Sequence, residues 1–135
     1  MTHEQFETKK RELGALINAP EEYYPWVGRC NYDGDYVEID QPVPIYRWAQ
    51  MERGREVERR IFLNEQDLLY HVFQRVTGQM AFFYEFRNRA PNQDSRRLAF
   101  EYQLKLLEKI DQEFRVKREK EIEELLAIAP YRDES

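Results

Sequence analysis

The chain has 135 residues and a formal net charge of −5 at pH 7. This length predicts a single domain over residues 1–135, able to bury roughly two thirds of its unfolded surface. No apolar run approaches the ~20 residues that span a bilayer, and the N-terminus has no signal-peptide pattern, so we expect a cytoplasmic protein without membrane contact. Cys30 is the only cysteine, and with only His3 and His71 beside it we expect no disulfide, metal site or cofactor.

The first predicted element is a helix within residues 1–20. Phe6, Leu13 and Ile17 recur at roughly helical spacing. Pro20 ends the segment because proline disfavours the helical conformation at the residue before it.

Residues 29–63 predict a small antiparallel β-meander made of two hairpins. Asp33-Gly34 lies between two short apolar stretches and favours a type I′ turn, which needs positive φ at both central residues. From Ile45 onward the residues alternate between two faces, and Arg53-Gly54 then turns the chain. On the returning strand, one face carries Val57, Ile61 and Leu63.

Two long helices are predicted next, over residues 64–90 and 93–128. Asn64 suits the N-cap of the first helix, whose apolar stripe is broad enough to imply burial on more than one side. That stripe consists of Leu69, Phe73, Val76, Met80 and Phe83. An unbroken second helix would reach on the order of 50 Å, which favours a kink or break near Asp111-Gln112. The short connection predicts an antiparallel helical hairpin packed on the meander, in an α+β fold.

His71 and Glu85 share one side of the first long helix but do not suggest catalysis. They are four turns, about 21 Å, apart, whereas acid–base partners must lie within hydrogen-bond reach. The sequence has no glycine-rich phosphate loop and no known nucleophile or zinc motif. We therefore expect a structural or exposed role for His71 and no enzymatic activity, although scattered carboxylates that converge in the fold remain an open alternative.

Several charged residues interrupt the apolar stripes of the two helices. Burying an unpaired charge is costly, so Arg87, Asp111 and Arg118 are expected to pair across helices or to mark where a stripe leaves the core. A second group is expected to fix the corner between the helices. It consists of Arg89, Asp94, Arg96 and Arg97.

Residues 21–40 hold the whole negative excess, with six carboxylates against Arg29 alone. The segment is also rich in tyrosine and tryptophan, which are enriched among interface anchors. It is either a loop with a solvated acidic edge or a surface for a basic partner. In the second case, complementary charge would steer the partner toward the surface. The candidate binding residues are Tyr24, Trp26, Tyr32, Asp33, Asp35, Tyr36, Glu38 and Asp40.

Nucleic acid is not an expected partner. The second predicted hairpin is locally basic, but acidic residues interleave and the net charge is negative. The basic residues are Arg47, Arg53, Arg55, Arg59 and Arg60, and the acidic ones are Glu52, Glu56 and Glu58.

The C-terminal half carries patterns of packing residues that resemble a known family. They are L-L-Y-x-V-F-x-x-V-T-x-x-M-A at 68–81, Y-E-F-x-N-R at 84–89, D-S-R-R-x-x-F-x-x-Q at 94–103, R-E-x-E-I-E-x-L-L at 118–126 and P-Y-R-D at 130–133. They are similar to those of the bacterial immunity proteins of immunity protein family 63, and the N-terminal half fits more loosely. Gly78 departs from the family pattern, in which a bulky residue is more usual at this position. The glycine either allows a neighbouring element to approach closely or weakens the helix by about 1 kcal/mol relative to alanine.

The resemblance implies a cytosolic antidote that binds and neutralises the toxin domain of a polymorphic toxin system. The acidic, ring-rich segment suggests that it occludes an active site, for which a nuclease with a basic cleft is a natural partner. Alternatives are a protein-interaction module without a toxin and, further off, an enzyme whose site is not visible in the sequence.

Overall fold

The computed structural model describes residues 1–134 and divides the chain into two compact units, one over Met1–Val72 and one from Phe73 onward. The α+β class is confirmed. The elements are α1 (His3–Ala15), a 3-10 turn (Glu21–Tyr23), β1 (Trp26–Val27), β2 (Gly34–Ile39), β3 (Tyr46–Glu52), β4 (Arg55–Phe62), α2 (Glu65–Arg87), α3 (Ser95–Ile110) and α4 (Gln112–Ile128). Within residues 1–134 no helix is both long and apolar enough to cross a membrane.

Helix α1 confirms the predicted N-terminal helix. It starts with a capping box in which Gln5 N–H donates to Thr2 Oγ1 at 3.1 Å and Thr2 N–H donates to Gln5 Oε1 at 2.8 Å. This exchange satisfies two of the backbone donors that the first turn leaves without helical acceptors. Phe6, Leu13 and Ile17 are buried, as their spacing predicts.

The four strands form one sheet in the order β1-β2-β3-β4. The prediction of a purely antiparallel meander is wrong, because β1 pairs parallel to β2, with Trp26 opposite Tyr36. The other two pairs are antiparallel. The turn between β3 and β4 is confirmed at Arg53 and Gly54, whose φ angles of 52° and 76° are the two positive values that a type I′ turn needs.

The hairpin predicted at Asp33-Gly34 does not form. Gly34 has a φ of 115° and begins β2, but Asp33 is not among the residues with positive φ. The Asp33 carboxylate instead accepts a hydrogen bond from Arg53 N–H at 2.9 Å, in the β3–β4 turn. Residues 28–33 therefore cross over between two parallel strands, and the first true hairpin joins β2 to β3.

One face of the sheet, here the inner face, carries the core of the first unit. Val37, Tyr46 and Trp48 are buried on it. The His71 ring, from the second turn of α2, packs edge-on against Trp48 with ring centroids 4.3 Å apart and lies 5.3 Å from Phe62. His71 is therefore a core residue, which confirms its structural role.

In the second unit, α3 and α4 are separate helices that run antiparallel. Asp111 ends α3 and caps α4, with its side chain accepting from Glu113 N–H at 2.8 Å. The reversal places Arg115 Nη1 2.9 Å from Glu108 Oε2. The break expected at Asp111 is confirmed, but the predicted pair of long helices over 64–90 and 93–128 is corrected to three helices, with the tight hairpin inside the last segment.

Gln103 joins all three helices of this unit. Its buried side chain donates from Nε2 to Gln74 O at 2.9 Å and to Thr77 Oγ1 at 3.2 Å on α2. Its Oε1 accepts from Arg118 Nε on α4 at 3.0 Å, so Arg118 pairs across helices as predicted. A Cβ atom at Gly78 would lie 3.4 Å from Gln103 Nε2, so the glycine faces the end of the Gln103 side chain at van der Waals distance.

The corner residues hold the C-terminal tail. Arg96 Nη1 donates to Ala129 O at 2.8 Å, and Asp94 accepts from Arg132 N–H at 2.8 Å. Arg97 forms an ion pair with Asp133 at 2.8 Å. The D-S-R-R and P-Y-R-D segments thus bind each other, so Asp94, Arg96 and Arg97 hold the C-terminal tail to the start of α3 rather than the predicted corner between the first two helices. Arg89 and Arg87 serve elsewhere: Arg89 pairs with the buried Glu85 at 3.0 Å, and the Arg87 side chain is exposed.

Candidate functional site

Tyr24 is a structural contact for α1. Its ring lies over Gly14, where an added Cβ atom would fall 1.7 Å from Tyr24 Oη. Lys10 Nζ approaches the ring centroid to 5.0 Å, and partial burial raises the pKa of the Tyr24 hydroxyl. A ring that is already engaged on one face offers less area to a partner than the sequence suggests.

Tyr36 lies on the same side of the sheet as Trp26, but it is buried there. It is only 5% exposed and packs with Ala49, Met51 and the partly buried Cys30. Its hydroxyl donates to Glu56 Oε1 at 3.1 Å, and burial together with this bond raises the pKa of the phenol. The ring serves the core, so we leave Tyr36 out of the surface described below.

Two of the predicted carboxylates point away from a common site. Asp35 pairs with Gln50 and shares the inner side of β2 with Val37. Asp33 lies in the crossover loop and binds the β3–β4 turn. The sheet therefore separates Asp35 from Glu38 and Asp40, and Asp33 lies at the opposite end of β2 from Asp40.

The remaining candidates lie on the opposite side of the sheet, here the outer face. The strand register places Glu38 opposite Arg47 and Arg47 opposite Ile61, which gives a row across three strands. Neighbouring strands are about 4.8 Å apart, so these side chains are adjacent. We define the outer face by Trp26, Tyr32, Glu38, Asp40, Arg47 and Ile61.

An aromatic pair occupies the β1 end of the outer face. The rings of Trp26 and Tyr32 are tilted, with centroids 5.4 Å apart. The two residues are 50% and 66% exposed. The crossover loop positions Tyr32 beside Trp26, and both rings are accessible to solvent.

An aliphatic margin lies at the opposite, β4, end of the outer face. Ile61 is 55% exposed, and Leu63, which directly follows β4, is 88% exposed. Val43, in the β2–β3 connection, is also exposed. These residues were not among the predicted site residues, although the alternation along β4 already placed Ile61 and Leu63 on one face.

Neighbouring arginines balance part of the acidic excess predicted for residues 21–40. Arg11 binds Glu21 through two bonds of 2.8 Å, and this bonding holds the pKa of Glu21 below its usual value. On the outer face, Arg47 forms a salt bridge with Asp40. Arg59, whose pKa is raised chiefly by Glu56, also interacts with Glu38. The outer face is therefore a mixed-charge surface between rings and aliphatic groups.

The described residues offer no assembled metal site. Among residues 1–134 no group of three or more His, Cys, Asp or Glu side chains is placed to hold a metal ion. Glu85 and His71 are engaged separately, Glu85 by Arg89 and His71 by two rings. What the outer face can do is bury rings and aliphatic groups against a macromolecule, with charges that select the orientation.

Comparison with known proteins points to one family. The family model described as Immunity protein 63 matches residues 41–124, which is more than half of the chain and spans β3, β4, α2 and α3 with most of α4. The match begins after Trp26, Tyr32 and Glu38 and includes Arg47 and Ile61. No curated protein and no solved structure matches the chain. The chain belongs to the Immunity protein 63 family.

Proposed function

We propose that this protein binds and neutralises a cognate bacterial toxin domain by covering the toxin's active site with the outer face of the sheet. Family membership implies a toxin as the partner. The single observation that supports this surface is the joint exposure of the Trp26–Tyr32 pair and the Ile61 margin on one face of a sheet.

The outer face combines the features that carry binding energy in protein interfaces. Exposed aromatic rings are frequent hot spots, because they bury a large area with few rotatable bonds. Strand pairing places Trp26 opposite Tyr36 and Ile61 opposite Arg47, so the sheet fixes the positions of both ends of this face before a partner arrives. A pre-organised surface loses little conformational entropy on binding, so more of the contact energy appears as affinity.

Glu38 and Asp40 give the proposed surface its orientation. Opposite them we expect a basic group on the toxin, such as a lysine or arginine that would otherwise hold a phosphate, consistent with a nuclease. Binding there would displace part of the Arg47–Asp40 pairing, so the toxin must replace that interaction to avoid leaving a charge unpaired. This requirement favours a partner with the matching charge over other proteins.

The test uses the toxin domain encoded beside this gene. Its expression alone is expected to stop growth, and co-expression of this chain is expected to restore it. The double variant W26A/Y32A should fail to protect, whereas F82A, which removes a ring of similar exposure (63%) from α2, should protect fully. Loss of protection by F82A with full protection by W26A/Y32A would contradict the outer face as the binding surface. Absence of binding between this chain and the toxin would contradict the proposed function itself.

A further inference from the structure

Strand β4 ends the sheet with a long unpaired edge. It has eight residues, and within residues 1–134 no strand pairs with its outer side. All its residues except Phe62 are exposed. Such an edge presents backbone N–H and C=O groups that can hydrogen-bond to another strand.

The side chains of β4 are complementary to themselves when the strand is reversed. We propose that two copies of this chain associate through antiparallel pairing of their β4 strands, centred on Arg59. This register places Glu58 opposite Arg60 of the second copy, twice by symmetry, on the regular part of β4 that follows its bulge at Val57. Opposite charges are among the cross-strand neighbours that stabilise antiparallel sheets.

The central residue does not oppose this register. Arg59 would meet Arg59 of the second copy, but each arginine already bonds to Glu56 of its own chain at 3.0 Å. Moving the centre to Glu58 would oppose two carboxylates. The register centred on Arg59 is therefore the one that gives charge complementarity.

The two-fold axis of such a pair runs perpendicular to the sheet. The outer faces of both copies then lie on the same side of one eight-stranded sheet, and both remain open. The association uses the edge of β4 and leaves Trp26 and Tyr32 uncovered. Ile61 of each outer face adjoins the pairing edge, but the Trp26–Tyr32 end stays open for the proposed toxin contact, so the pair would be bivalent.

Charged side chains on an edge strand are also a known protection against strand pairing. That role predicts a monomer at every concentration. The two interpretations differ in one measurable respect. Only pairing between copies makes association depend on whether residue 58 of one chain and residue 60 of the other have opposite charges.

The test is sedimentation velocity of the full chain up to millimolar concentration. Wild type is expected to show a reversible dimer, and E58R and R60E should each dimerise about tenfold more weakly. An equimolar mixture of E58R with R60E should recover the wild-type affinity as a heterodimer, because every 58–60 contact between chains is then opposite in sign. Mixing cannot restore the bond within a chain from Arg60 to Glu58, at 3.2 Å, so recovery reports only on pairing between copies.

A wild-type monomer at all concentrations, or a mixture that stays monomeric while wild type dimerises, would overturn the proposal. A dimer that neither charge change weakens would place the interface elsewhere and overturn it too. Thermal melts of both variants check that they are folded. Protection against the toxin by monomeric E58R would leave the proposed function intact whatever the result here.

Discussion

The ring of Tyr24 occupies the space that a side chain at Gly14 would need, since a Cβ atom there would lie 1.7 Å from Tyr24 Oη and 2.6 Å from the ring carbon that bears it. Gly14 therefore allows residues 20–25 to pack directly on α1. This contact is made between a helix and a loop ten residues later in the chain.

We predict that Gly14→Ala destabilises the protein by about 1–3 kcal/mol, because the clash outweighs the better helix propensity of alanine. Urea unfolding measures the change. In a Tyr24→Ala background the same substitution should be neutral or stabilising, since the obstructing ring is gone. Equal losses in both backgrounds would show that the ring is not the cause.

Gly78 provides the opposite case in α2. Its added Cβ atom would meet Gln103 Nε2 at 3.4 Å, an ordinary van der Waals distance. Gly78→Ala is therefore expected to stabilise the protein by about 0.5–1 kcal/mol through helix propensity and a less flexible unfolded chain. The same urea experiment tests it, and a destabilised variant would mean that the Gln103 side chain cannot tolerate the methyl group.

Removal of the exposed rings should separate binding from stability. Trp26→Ala and Tyr32→Ala are each expected to weaken toxin binding by about 2 kcal/mol, roughly thirtyfold, because central aromatic anchors dominate interface energies. Titration calorimetry against the toxin domain measures the affinity, and thermal melts should show nearly unchanged folding. Phe82→Ala is the matched control, and a similar loss of affinity in that variant would indicate a different binding surface.

The tail contacts predict a loss of stability in acid. Hydrogen bonds from Arg96 are the main cause that lowers the pKa of Asp94, and those from Arg97 lower the pKa of Asp133. Carboxylates with a lowered folded-state pKa stabilise the fold above their ordinary pKa of about 3.9, and this contribution disappears as the pH falls toward the folded-state value. The melting temperature should therefore decline as the pH falls below about 5.

Asp94→Asn tests the origin of that decline. The variant should melt below wild type at neutral pH, and the difference should shrink in acid, where the wild-type carboxyl group also loses its charge. Glu101→Gln, which removes an exposed ion pair with Lys105 on α3, is the control and should differ little from wild type at any pH. A constant difference between Asp94→Asn and wild type across the pH range would contradict the assignment.

Local sequence patterns predicted the elements whose determinants lie within a few residues. The spacing of Phe6, Leu13 and Ile17 predicted α1, and alternation along β3 and β4 predicted their faces and the turn at Arg53-Gly54. Asp111 showed where the last helical segment breaks, because its side chain caps the helix that follows. Each of these signals acts between residues that are close together in the sequence, so the sequence alone displays it.

The predictions that the structure corrects involve residues whose partners lie far away in the sequence. Asp33-Gly34 has the composition of a hairpin turn, but Asp33 is used by Arg53, twenty residues later, and β1 pairs in parallel. Tyr36 and Tyr32 look equivalent in the sequence, yet Tyr36 is buried against Ala49, Met51 and Cys30, whereas Tyr32 is exposed in the crossover loop. The arginines that balance Glu21 and Asp40 likewise come from α1 and β3.

The helices α3 and α4 are joined at both ends, by the single residue Asp111 at one and by the bonds from Arg96 and Arg97 to residues 129–133 at the other. A hairpin closed in this way cannot fray progressively from the C-terminal end of α4. Amide protons along both helices should therefore exchange with solvent deuterium as one cooperative group, and cleavage of the chain after Ile128 should convert that group into two helices with separate exchange rates.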